Sequence, residues 1–84
     1  MDQAQADRIA AALNQAQRNT ILGLTTEPQP LGCWEQVAYR MTKPCARRPA
    51  LVERTQQPNS WSRYSLSMWG VQVHKSLMYG VLSA

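Results

Sequence analysis

The chain has no phenylalanine, one histidine and only five acidic residues among 84. It also lacks a glycine-rich phosphate loop, a nucleophile motif and a close pair of carboxylates, so no catalytic constellation can be assembled from it. Cys33, Cys45 and His74 together fall one ligand short of a zinc site. We therefore expect a protein that is not an enzyme and that carries neither a cofactor nor a metal.

Long apolar runs are missing as well. No stretch approaches the roughly 18 apolar residues of a membrane span, and the N-terminus lacks the basic-then-apolar pattern of a signal peptide. The expected protein is soluble and cytoplasmic, with no membrane partner. Cys33 and Cys45 would be able to pair in an oxidising compartment, but without a signal peptide we expect free thiols.

Basic residues are abundant, and they are concentrated in one part of the chain. The formal net charge is +4 and the pI is about 9.6. Against one acid, Glu53, the segment from residue 40 to residue 63 carries six cations: Arg40, Lys43, Arg47, Arg48, Arg54 and Arg63. The molecule should therefore have a basic side that suits nucleic acid, an acidic protein surface or plain solvation.

The first 24 residues predict helix. Apolar and small side chains recur at helical spacing, at positions 9, 13, 16, 20 and 24. One long helix or two both fit, because Asn14 and Gln17 have the spacing of a capping box that would start a second helix. The helical segment should end near Gly23, since Pro28 and Pro30 follow.

Residues 33–41 predict a second amphipathic segment. Its apolar stripe is expected in the core and comprises Trp34, Val37, Ala38 and Met41. Tyr39 and Arg40 fall on the opposite face, and Pro44 stops the helix.

Residues 51–55 and 62–66 predict the two strands of a hairpin with a polar tip at 56–60. For Trp61, at its base, a partly buried ring that pins the hairpin is favoured over a ring that stacks on a base or fills a partner's pocket. A final helix should begin at Ser67, with Gly70 packed closely on a neighbouring element. A second hairpin over residues 64–73, turning at 69–70, also fits the alternation.

Residues 50–54 (ALVER), residues 63–67 (RYSLS), and then Gly70 and Val73 resemble the wing and following helix of winged-helix regulators. Residues 14–24 also look like the first-helix pattern of small winged-helix-like phage proteins. The resemblance implies an α+β fold: a small winged-helix-like domain of phage or prophage type with N-terminal helices, a two-stranded β-hairpin wing and a C-terminal helix. It would place a groove-reading helix at residues 34–41.

The chain departs from that family before the reading helix. Residues 25–32 hold two prolines and leave no room for a separate supporting helix. Either that helix is missing or the second half of residues 3–24 supplies it. A trimmed motif of this kind grips phosphates and reads few bases.

Two functions follow from these patterns. The first is a DNA-binding regulator held on double-stranded DNA by the six cations of residues 40–63. The second is a phage-encoded inhibitor that covers a host protein complex, such as a CRISPR surveillance complex or a pilus motor, through anchors at Tyr39, Trp61 and Arg48. Either would act in a bacterial host cell, and the C-terminal helix also allows a homodimer.

Overall fold

The computed structural model describes residues 2–56, 58 and 61–83. Within them the chain is a small α+β domain with four α-helices and a two-stranded antiparallel hairpin. The elements follow in the order α1 (Gln3–Ala12), α2 (Gln15–Gly23), a 3-10 turn (Gly32–Trp34), α3 (Glu35–Arg40), β1 (Val52–Thr55), β2 (Arg63–Leu66) and α4 (Met68–Ser83).

The N-terminal segment forms two helices, separated by the predicted capping box. Asn14 Oδ1 accepts a hydrogen bond of 2.8 Å from the Gln17 backbone N–H, and Gln17 Oε1 accepts one of 2.9 Å from the Asn14 backbone N–H. Both of these donors lack partners inside the helix, so the reciprocal pair starts α2 at a defined residue. The apolar face is buried as predicted, with Ile9, Leu13 and Leu24 in the core.

The third helix is shorter than predicted, and one of its core assignments is wrong. Gly32, at φ 58°, leads into a 3-10 turn, and α3 begins only at Glu35. A 3-10 turn has three residues per turn, so it rotates Trp34 off the stripe that α-helical geometry assigned to it. The Trp34 side chain is 45% exposed, whereas Ala38 and Met41 are fully buried as expected.

β2 forms backbone hydrogen bonds along both of its edges. β1 pairs with β2 in the register Val52↔Leu66 to Thr55↔Arg63. On the other side, Gln29 and Tyr64 exchange two backbone hydrogen bonds of 3.0 and 2.9 Å, and Leu66 N–H donates to the Thr25 carbonyl. The proline-containing segment therefore extends the sheet edge, which its sequence did not indicate. Positions 57, 59 and 60 of the predicted tip lie outside the described residues.

The alternative of a second hairpin over residues 64–73 is wrong, because α4 runs from Met68 to Ser83. Ser67 Oγ accepts a hydrogen bond from the Gly70 backbone N–H and donates one to the Ala50 carbonyl, at 3.0 and 2.7 Å. Ser67, the predicted N-cap, therefore also links the start of α4 to the segment that leads into β1. Gly70 is packed closely as predicted, since a Cβ there would meet the Leu51 backbone carbonyl.

One core joins these elements. α4 packs against α1, α2 and β2, and α2 packs against α3. Val73 of α4 and Tyr64 of β2 are almost completely buried within it. None of the helices in the described residues is both long enough and apolar enough to cross a membrane. Met78 and Tyr79, near the end of α4, are exposed, and the homodimer through this helix stays a prediction.

Candidate nucleic-acid interface

The six predicted cations lie on the last turn of α3, on the loop that follows it and on the hairpin. Five of them are exposed and Arg48 is half-buried. In the part of the chain that the structure describes, no Lys or Arg side chain forms an ion pair with a carboxylate. Within the described residues these cations are therefore not held in ion pairs, so their charged groups can contact an anionic partner.

Two of these cations flank one aromatic ring. Lys43 Nζ lies 4.9 Å from the centre of the Tyr39 ring, and Arg54 Cζ lies 5.4 Å from it. Both distances are within the range of a cation–π contact. Arg54 is held further by hydrogen bonds of 3.0 Å, from Nε to Ser62 Oγ and from Nη2 to Gln56 Oε1. These partners fix the guanidinium in place before any ligand arrives.

Trp61 lies beside this group, and its predicted partial burial is wrong. The ring is 81% exposed. The hairpin is pinned instead by Tyr64, which is 1% exposed and paired with Gln29 through the backbone. Trp61 is therefore not needed to hold the strands together.

Trp61 and Tyr39 line two adjoining hollows. Trp61 lines the first hollow together with Pro30 and Leu31. Tyr39 lines the second together with Arg54. Gly32 and Glu35 line both hollows. Arg54 connects the two through its bond to Ser62, the residue after Trp61. We call this set the aromatic-basic strip, and it consists of Trp61, Arg54, Tyr39 and Lys43.

Two acids lie beside the strip: Glu53 lines a hollow with Tyr39 and Arg54, and Glu35 lines both of the hollows described above. The second of these, Glu35, is hydrogen-bonded. Its Oε1 accepts a hydrogen bond of 3.0 Å from the Tyr64 hydroxyl. Burial, followed by this bond to the Glu35 carboxylate, raises the pKa of Tyr64 above its ordinary value. Tyr64 therefore stays neutral and donates to Glu35 at physiological pH. Because Glu35 would repel phosphate, an anionic ligand should follow the Arg54 and Lys43 side of the strip.

Arg47 and Arg48 belong to a second group, on the other side of the loop. A tight turn joins Cys45 and Arg48 through backbone hydrogen bonds of 2.9 and 3.2 Å. The turn faces α1 across a cleft that Arg8, Arg47 and Arg48 line together. We call these three arginines the loop cluster. Arg8 is not among the candidate contacts that the sequence predicts, because no local pattern relates residue 8 to residues 47 and 48.

The exposed thiol of Cys45 lies at the turn that carries Arg47 and Arg48. A backbone hydrogen bond from Arg47 is the main cause that lowers the pKa of this thiol; burial acts in the opposite direction, and smaller contributions from the backbone, side chain and charge of Arg48 lower the pKa further. Backbone donors at this turn therefore favour the thiolate.

The structure regroups the residues that the sequence proposed. Tyr39 and Trp61, predicted as anchors for a protein partner, lie with two of the predicted nucleic-acid contacts in one strip. Arg48, the third predicted anchor, lines the cleft of the loop cluster. Arg40 ends α3, and Arg63 stands opposite Thr55 at the start of β2. Of the described residues, no three His, Cys, Asp or Glu side chains gather in a metal-binding arrangement.

No family model, no curated protein and no solved structure matches this chain.

Proposed function

We propose that the chain is a small basic DNA-binding regulator of winged-helix type, which grips duplex DNA mainly through phosphates. The observation that carries this proposal is the set of cations on α3, the following loop and the hairpin, which have no acidic partner among the described residues. A duplex carries one negative charge per about 1.7 Å of axis, so a surface of this kind binds it through counterion release.

The order of the elements supports the winged-helix part of the proposal. α2 packs against α3, as a supporting helix would, so the second half of the N-terminal segment can take that role. The hairpin then follows α3 in the position of a wing. With six residues, α3 is only about 9 Å long. It presents few side chains to base edges, so phosphate contacts should supply most of the affinity.

The decisive experiment measures binding to random duplex DNA by fluorescence anisotropy at about 50 and 200 mM salt. We expect binding that weakens steeply as salt rises. The double variant Arg47→Ala/Arg48→Ala should weaken binding to every sequence and reduce the log–log salt slope by up to about 1.8, since each lost phosphate contact removes about 0.9.

Lys75→Ala is the control for that experiment, because Lys75 is an exposed cation on α4, a helix that carries none of the six cations. It should leave the slope close to that of the parent protein. An unchanged slope in the double arginine variant, or no binding at low salt, would contradict the proposal.

The exposure of Trp61 favours a second candidate function. An indole that is 81% exposed beside the apolar Pro30 and Leu31 resembles an anchor for a protein interface. In this candidate, the chain covers a host protein complex in a bacterial cytoplasm and blocks it. Capture from host lysate should then be lost in Trp61→Ala while unfolding stays cooperative, and retained capture would remove Trp61 from the interface.

A further inference from the structure

We propose that the aromatic-basic strip holds unpaired bases, so that the protein prefers DNA carrying a single-stranded segment over fully paired duplex. This inference rests on the proposed DNA-binding function and goes beyond it, because phosphate contacts alone give no role to the two exposed rings. It names the part of the nucleic acid that those rings contact.

The two rings differ in their surroundings: the Trp61 ring is largely open, whereas Lys43 and Arg54 lie over the Tyr39 ring. Trp61 is 81% exposed and Tyr39 is 40% exposed, although a chain of this size has little apolar surface to spare from its core. Alternating cations and aromatic rings are typical of surfaces that bind single strands, in which the cations follow the backbone and the rings stack on successive bases. In the strip, Lys43 and Arg54 lie over the Tyr39 ring, and Trp61 borders the adjoining hollow with Ser62, the residue that Arg54 bonds.

Arg54 holds the centre of the strip in a fixed geometry. Its bonds to Ser62 and Gln56 leave the guanidinium close to the Tyr39 ring, so a phosphate bound by Arg54 would lie beside Tyr39. Glu35 lines both hollows and repels phosphate from that wall. Arg54 and Lys43 therefore supply the phosphate contacts of the strip, and the exposed Trp61 ring is available to stack on a base.

Paired bases cannot use these rings, because in a duplex both faces of each base are covered by its neighbours. A base at a single-stranded tail, a gap or a bubble offers a free face at little cost. Because α3 is short, it can contact few base edges in paired DNA. Such contacts should therefore add little to the affinity for duplex and should not mask a preference for unpaired bases. Stacking also tolerates every base, so the preference should follow strandedness more than sequence.

The test compares three DNA ligands under one salt condition. They are a blunt random duplex, the same duplex with a single-stranded tail of about ten nucleotides, and the tailed duplex with abasic sites throughout its tail. We expect the intact tail to tighten binding and the abasic tail to lose most of that gain, since it keeps the phosphates and removes the bases.

The variants at Trp61 separate stacking from simple apolar contact. Trp61→Ala should weaken binding to the intact tail by between about 5- and 150-fold, the range expected for one stacked base, and should weaken binding to the abasic tail much less, because that tail has no base to stack. Trp61→Phe keeps a flat ring and should retain most of the affinity, whereas Trp61→Leu keeps apolar area without a ring face and should lose it. Because Trp61 is exposed, none of these changes should alter the circular dichroism spectrum.

The outcomes distinguish the two proposals from each other. If the arginine double variant loses duplex binding while intact and abasic tails bind equally, the DNA-binding function stands and the strip inference is overturned. If Trp61→Ala reduces capture of a host protein but leaves binding to every DNA ligand unchanged, the strip inference is also overturned. If no ligand binds at low salt, both the function and the inference fail.

Discussion

At the scale of single residues, Gly70 shows how closely α4 is seated on the hairpin. It is buried, and a Cβ at this position would meet the Leu51 carbonyl oxygen and, at 3.2 Å, the Leu66 Cδ2 atom. A backbone carbonyl cannot move aside as the end of a side chain can. The position therefore requires glycine because of space, although glycine weakens a helix.

Gly70→Ala should consequently destabilise the protein despite its better helix propensity. We expect a loss of about 1–3 kcal/mol in the free energy of unfolding, the usual cost of overpacking, measured by urea denaturation. Gly80→Ala in the same helix is the control, because a Cβ there has no atom within 4 Å, and it should be neutral or stabilising by up to about 1 kcal/mol. Equal effects of the two changes would contradict the close approach of α4 to Leu51.

Single residues also decide what the candidate site can do. Trp61 supplies an exposed ring, and Arg54 both lies over the Tyr39 ring and bonds Ser62, the residue after Trp61. Tyr39 lies in α3 and Trp61 just before β2, so no local sequence pattern relates the two residues. The strip exists only because α3 and the hairpin pack side by side.

At the scale of elements, a polar cluster ties α1 to α4. Ser76 Oγ donates a hydrogen bond of 2.6 Å to Asp7 Oδ1, and Gln3 Nε2 donates to Asp7 Oδ1 and Ser76 Oγ at 3.2 and 2.7 Å. The bond from Ser76, followed by that from Gln3, lowers the pKa of Asp7 below its ordinary value of 3.8. The charged form of Asp7 is therefore favoured by the folded state.

This shift predicts a pH dependence of stability. A carboxyl group whose pKa is lower in the folded state contributes stability above its unfolded pKa, and that contribution disappears as the pH falls through the folded pKa. Below pH 3.8, the urea midpoint of the parent protein should therefore decrease more steeply with falling pH than that of Asp7→Asn. Glu27→Gln, which removes an exposed carboxylate outside the α1–α4 cluster, is the control for the loss of a carboxylate as such. Parallel curves for the parent protein and Asp7→Asn would show that the cluster does not favour the charged carboxylate.

At the scale of the whole molecule, one core serves every element. α4 contacts α1, α2 and β2, so no pair of elements is stabilised on its own. A chain of this length buries only about 60–65% of its unfolded surface, which leaves a small margin of stability to be shared. Unfolding of any one element should therefore cause the others to unfold.

We accordingly expect unfolding in a single cooperative step. Helical circular dichroism and tryptophan fluorescence should give the same urea midpoint, with Trp69, which is partly buried against the core, as the main reporter of packing. The double variant Trp34→Phe/Trp61→Phe removes the two exposed indoles and should leave that midpoint unchanged. Helical signal that persists beyond the fluorescence transition would show that α1 and α2 form a separate unit.

Local chemistry in the sequence determined much of the element map. The Asn14 and Gln17 pair, the Ser67 cap and the prolines after Gly23 and Met41 act within a few residues, so their effects are visible without the fold. The 3-10 turn at Trp34 was missed because a glycine with positive φ shifts the helix start without breaking the apolar pattern. The edge pairing of Gln29 was missed because backbone hydrogen bonds leave no mark on side-chain periodicity.

The sequence by itself also determined that the chain is basic between residues 40 and 63, since charge is a property of composition. Only the tertiary structure decided how those cations divide, with Lys43 and Arg54 around Tyr39 and with Arg47 and Arg48 facing Arg8. It also decided that Trp61 is exposed, because burial depends on which elements meet, and the buried Tyr64 already holds the hairpin in place. Contacts between residues far apart in the chain are fixed by packing, which local patterns do not encode.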